Sequence, residues 1–137
     1  DAVLENGGQV TGIIPESLME KEFAHPGLSK LCVVASMHER KAMMERLSQG
    51  FIALPGGIGT LEEIFEILTW AQLGLHRKPC GLLNVNGYYD GLISFLETTE
   101  RQGFTEGLLE KRLLLEDNAG VLIDQMTDAF KSDLEVA

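Results

Sequence analysis

An α/β fold built on a parallel sheet is predicted for this chain of 137 residues, and three observations predict it. Short runs of strand character alternate with longer stretches of helical period. The strand runs KLCVVAS, FIAL and CGLLNV are apolar along their whole length, the pattern of strands covered by helices on both faces. The length is enough for one real core but not two, and 45% apolar with 23% charged residues is an ordinary globular balance.

In chain order, DAVLENGG reads as the last turns of a helix with a glycine stop. A sheet that opens on the end of a crossover helix lacks its first strand, so an amino-terminally incomplete fragment of a longer chain is expected. Residues 9–14 (QVTGII) form a strand stopped by Pro15, and residues 30–36 form another. Residues 37–47 have helical composition, and 51–54 is a buried strand ended by Pro55. The clearest helix is 61–73, with Thr60 as its N-cap. A strand at 80–85 leads to a helix at 88–101, with apolar Leu92, Ile93, Phe95 and Leu96. A strand at 113–115 precedes a last helix over 119–130, after which KSDLEVA frays. No repeat or low-complexity linker interrupts the series, so residues 1–137 are read as a single domain.

A net charge of −10 argues against nucleic acid as partner, because phosphate backbones need a basic face. No apolar run is long enough to cross a membrane and no secretory signal opens the chain, so a cytoplasmic location is expected. Cys32 and Cys80 lie in apolar runs without a CxxC or a histidine pair; buried, reduced thiols are expected, and no metal site. The few bases gather in two groups, His38, Arg40, Lys41 and Arg46, and then His76, Arg77 and Lys78. Solvated surface charge is the plain alternative for each.

The stretch LPGGIGTLEE at 54–63 carries the chemistry. It joins a strand to a helix, where doubly wound sheets bind ligands. Glycines let amides approach an anion, and the helix start adds free N–H groups and partial positive charge. A phosphate is the natural occupant, and a tight turn without ligand is the alternative. The loop is neither a Walker loop nor a G-x-G-x-x-G fingerprint. With Thr60 as N-cap, Glu63 closes a T-x-x-E capping box. Helical spacing puts Leu61, Ile64, Phe65, Leu68 and Ala71 on an apolar face, Glu62 opposite in solvent and Glu63 at the border. A partly desolvated carboxylate beside a phosphate site suits a catalytic acid, a task that competes with capping. Upstream, SMHERK also follows a strand, and a guanidinium at Arg40 suits phosphate, ribose hydroxyls or a carboxylate. Arg40 and Glu63 are expected to converge on one crevice.

With SMHERK, LPGGIGTLEE and WAQLG in this order, together with VTGIIPESL, KPCGLLNVNGYYDGL and the GF at 103–104, the chain resembles the LOG family. These are cytokinin riboside 5′-monophosphate phosphoribohydrolases, long labelled lysine decarboxylase-like. The resemblance runs from residue 1 to about residue 125. It implies a Rossmann-like fold, usually dimeric, that hydrolyses the N-glycosidic bond of an N6-modified adenosine monophosphate to free base and ribose 5-phosphate, with no cofactor. It implies Arg40 and Glu63 as catalytic residues and Gly56, Gly57, Gly59 and Thr60 as the phosphate loop. Lys41 follows the arginine as in the family motif, and Glu22, in LMEKE, matches a glutamate placed near the substrate. The family's first strand and first glycine-rich segment have no counterpart here.

The chemistry suits these residues, since a carboxylate stabilises an oxocarbenium-like transition state or activates water. Two rivals stand beside it. Lysine decarboxylation needs pyridoxal phosphate on a lysine with an acid at the pyridinium nitrogen, and only Lys41 is near the crevice. A non-catalytic nucleotide or cofactor carrier would need the loop but not the Arg40–Glu63 pair. A homodimer is implied by the resemblance, with Trp70 and the WAQLG stretch as an apolar contact or simply as core.

Overall fold

The computed structural model describes residues 1–19 and 25–136. They form two compact units, residues 1–48 and residues 49–137.

The first unit opens with a short helix α1 (Ala2–Glu5), followed by Gly7 at φ +77°, the helix end with a glycine stop that DAVLENGG announces. Strand β1 (Thr11–Pro15) pairs in parallel with β2 (Lys30–Val34), Thr11 opposite Lys30 and Pro15 opposite Val34. Proline fits as the last residue of a strand that ends there. Helix α2 (Met37–Leu47) follows and packs on both strands. Ile14 and Val34 are buried, whereas Leu31 and Val33 are 42% and 45% exposed. The expectation of strands covered by helices is met on the α2 side of this sheet.

In the second unit that expectation holds. Strands β3 (Phe51–Ala53), β4 (Cys80–Leu83) and β5 (Leu113–Glu116) form a parallel sheet in the order β3-β4-β5. Four helices accompany them: α3 (Ile58–Gln72), α4 (Asp90–Arg101), α5 (Leu108–Lys111) and α6 (Ala119–Val136). Side chains alternate across a strand, and β4 shows this plainly. Cys80 and Leu82 pack with Ile64, Ile67 and Leu68 of α3 and Leu96 of α4. Leu83 packs with Leu122 and Met126 of α6, whose Leu122 also lies against Gly81. Both faces are thus closed, and Leu82 and Leu122 are fully buried, each stabilising the unit by about 1.5–3 kcal/mol.

Several predicted boundaries shift. Strand β4 stops at Leu83 and is followed by a 3-10 turn (Val85–Gly87), so the next helix starts at Asp90 and not at residue 88. The last helix runs on through Val136, past the predicted fray at residue 131. No helix among the described residues is long and apolar enough to cross a membrane.

Both cysteines are free, Cys80 buried and Cys32 half-buried. Burial pushes the Cys80 thiol up to about 12, against a smaller opposing effect of the Arg112 guanidinium. Because the folded value lies above the ordinary 9.0, this thiol favours the folded state fully below pH 9 and loses that contribution as pH rises towards 12. In a thiol-labelling experiment at pH 8, Cys80 is expected to react at least about tenfold more slowly than in denaturant. Equal rates in native and denatured protein would show that Cys80 is open to solvent.

Candidate active site

The glycine loop lies where predicted, between β3 and α3, but the helix begins earlier. Gly57 is the N-cap, in extended conformation, and Ile58 is the first helical residue. The Leu61 N–H donates to the Gly57 carbonyl at 3.2 Å. Thr60 is therefore inside the first turn, and no side chain caps this helix. Glycine is tolerated as an N-cap, and here it moves the start of the helix three residues upstream. The predicted capping box of Thr60 and Glu63 does not form. Glu63 is the sixth helical residue, so its carboxylate is not needed to satisfy the first turn.

Glu63 is half-buried and Glu62 exposed, as helical spacing requires. Residues four apart share a face, and helical side chains lean towards the amino terminus, so Glu63 leans over the turn that contains Gly59. An added Cβ at Gly57 or Gly59 would meet nothing within 4 Å, and neither has a positive φ. The fold itself does not demand glycine at these two positions; their bareness leaves the backbone approachable. Gly56 differs, since a Cβ there would overlap the Thr60 hydroxyl oxygen. Gly56 and Thr60 serve the packing of the loop.

Two residues outside the predicted site hold this loop. Tyr89 Oη donates to the Leu54 carbonyl at 2.6 Å, and Tyr88 Oη to the Gly56 carbonyl at 2.8 Å. The rings meet edge to face at 5.0 Å. Asn86 and Gly87, both at positive φ, make the tight turn that brings the tyrosines round, a conformation that Asn and Gly adopt most readily. Asn84 then fixes the segment: its Oδ1 accepts from the Tyr89 N–H at 2.6 Å and its Nδ2 donates to Asp90 at 2.8 Å. Tyr89 is buried, and burial pushes its phenol above the ordinary 10.0, with Tyr88 adding to this and the Gly56 backbone opposing it. The signal available in the sequence was NGYYD, a turn dipeptide followed by two phenols.

In the first unit, Ser36 caps α2 by accepting from the Glu39 N–H at 3.1 Å, and Glu39 accepts from the Ala35 N–H at 3.0 Å. This S-x-x-E arrangement, in which the glutamate takes the N–H one residue before the cap, fixes the first turn. Arg40 sits there half-buried, its N–H bonded to the Ser36 carbonyl. Lys41 is buried and His38 exposed. Glu22 lies outside the described residues. In the second basic group, His76 is not a surface charge: it is buried, with Nε2 donating to the Ile67 carbonyl at 2.9 Å and Nδ1 accepting from the Lys78 N–H at 3.2 Å. Among the described residues no group of three side chains suited to a metal ion forms.

Tyr89→Phe is expected to destabilise the second unit by about 1 kcal/mol, because the part-buried Leu54 carbonyl loses this donor. Gly56→Ala is expected to cost a similar amount through overlap with Thr60. Denaturant unfolding checks both, and unchanged midpoints would show that the loop is not held by these contacts.

Residues 1–126 match the family model described as "Possible lysine decarboxylase". The chain is 46% identical over 127 residues to the cytokinin riboside 5′-monophosphate phosphoribohydrolase LOG7 of Arabidopsis thaliana, covering 93% of this chain and 58% of that protein. It is 52% identical over 116 residues to the cytokinin riboside 5′-monophosphate phosphoribohydrolase of Rhodococcoides fascians, covering 84% and 59%. To the enzyme LOG of Oryza sativa subsp. japonica, of the same descriptive name, it is 42% identical over 151 residues, covering 98% and 62%. The chain thus spans about three-fifths of the length of these curated relatives. The strand–glycine loop–helix of LPGGIGTLEE, the SMHERK helix and these matches together establish that the chain belongs to the LOG family.

Proposed function

We propose that the protein to which this chain belongs hydrolyses the N-glycosidic bond of N6-modified adenosine 5′-monophosphates, releasing the free base and ribose 5-phosphate. One observation carries the reading: Gly57 and Gly59 are bare without structural need, at the amino terminus of a fifteen-residue helix, with half-buried Glu63 one turn further on. Backbone N–H groups and the helix dipole favour the 5′-phosphate. The relatives' names specify a riboside 5′-monophosphate as substrate.

In this proposal the loop of Gly56, Gly57, Gly59 and Thr60 holds the phosphate and thereby positions the ribose. Glu63, beyond the first turn of the helix, either stabilises positive charge developing at the ribosyl carbon or takes a proton from the attacking water. Arg40 and Lys41 bind and orient the anionic substrate, and Glu22 contacts it as in the family motif. The protein acts in the cytosol as a homodimer, for which the exposed Leu73 and Leu75, at 69% and 70%, supply apolar surface. Light scattering of the full-length protein is expected to give twice the chain mass, and a monomer at assay concentration would refute the dimer.

Full-length protein incubated with AMP and with isopentenyl-AMP is expected to release free base. Glu63→Gln and Arg40→Ala are each expected to lower kcat by about a hundredfold or more with the thermal midpoint kept. Near wild-type turnover by the Gln variant would refute the role of Glu63. Binding of AMP without any base release by the wild type would instead identify a nucleotide carrier.

A further inference from the structure

We propose that Tyr88 is a positioning residue for the substrate phosphate: by holding the Gly56 carbonyl, it turns the Gly57 N–H outward as an anion donor. The argument starts from the peptide that links Gly56 to Gly57. It is trans, as are all described peptide bonds, and in a planar trans peptide the carbonyl and the following N–H point to opposite sides. Tyr88 Oη donates to the Gly56 carbonyl at 2.8 Å, so the Gly57 N–H is directed away from the tyrosine. Among the described residues that N–H donates to no protein acceptor. It stands next to the first helical amides of α3, whose N–H groups have no intrahelical acceptor. With nothing within 4 Å of a Cβ position at Gly57, an anion can reach it.

The two neighbouring phenols have different tasks. Tyr89 holds the Leu54 carbonyl, but the residue after Leu54 is Pro55, which has no N–H to aim. That bond fixes the path of the chain and presents no donor. Tyr89 is buried, whereas Tyr88 is 56% exposed. A phenylalanine at position 88 keeps the ring against Tyr89 and removes only the hydroxyl. Its loss releases the 56–57 peptide to rotate, and the donor is no longer set in advance for a phosphate.

This inference rests on the reading of the loop as a phosphate site. The test compares full-length wild type with Tyr88→Phe, measuring KM and kcat on a nucleoside 5′-monophosphate, inhibition by ribose 5-phosphate, and thermal midpoint. The variant is expected to raise KM and the inhibition constant on the order of three- to tenfold, with kcat changed less than about twofold and the midpoint kept. Turnover of the corresponding nucleoside, which lacks the phosphate, is expected to be the same in both proteins. A wild type that hydrolyses the nucleotide alongside a variant with unchanged KM and inhibition constant overturns the role of Tyr88 alone. Equal loss on nucleotide and nucleoside also overturns it, since the effect would then not be on phosphate. Ribose 5-phosphate binding that weakens in the variant, in a protein without hydrolysis, supports Tyr88 and overturns the catalytic reading. A wild type that binds no ribose 5-phosphate overturns both.

Discussion

Burial of β4 on both faces is the constraint on which the second unit depends. All four residues of this strand are buried, with Cys80 and Leu82 directed to α3 and α4 and Gly81 and Leu83 to α6. A strand so enclosed fixes its neighbours by register: Phe51 lies opposite Cys80 and Ala53 opposite Leu82. The ends of β3 and β4 are therefore set side by side. The loop after β3 and the Asn84–Tyr89 segment after β4 are consequently close enough for phenol-to-carbonyl bonds. The candidate site is a consequence of sheet registration before it is a consequence of loop sequence.

Two S/T-x-x-E patterns in this chain show how far local motifs can be trusted. Thr60 and Glu63 have the spacing of a capping box and neither caps α3, while Ser36 caps α2 and Glu39 takes the Ala35 N–H just before the cap. The difference lies in what precedes each pattern. Before Ser36 the chain is a strand with an extended residue at the cap position, and the hydroxyl has no competitor. Before Thr60 come Gly56, Gly57 and Gly59, and the helix starts among them, with Gly57 as its N-cap and Gly59 in its first turn.

The fold class was legible because whole-apolar strands and helical periods are strong signals, and the helix at Met37–Leu47 was legible to the residue. The loop and the border position of Glu63 were legible for the same reason. The tyrosine brace was not, because a hydroxyl's partner thirty-odd residues away depends on register and not on spacing. His76 was misleading, since grouping it with Arg77 and Lys78 by charge hid a ring that satisfies a helix carbonyl in the interior.

The tight turn at Asn86–Gly87 ties the loop to the segment after β4. The loop is held by hydrogen bonds through Asn84, Tyr88 and Tyr89. Any fluctuation that lifts this short segment away from the sheet releases both carbonyls together. Under the phosphate reading of the loop, anion affinity is tied to the free energy of a sub-global opening, and a bound anion would in turn suppress amide exchange in the Val85–Gly87 turn.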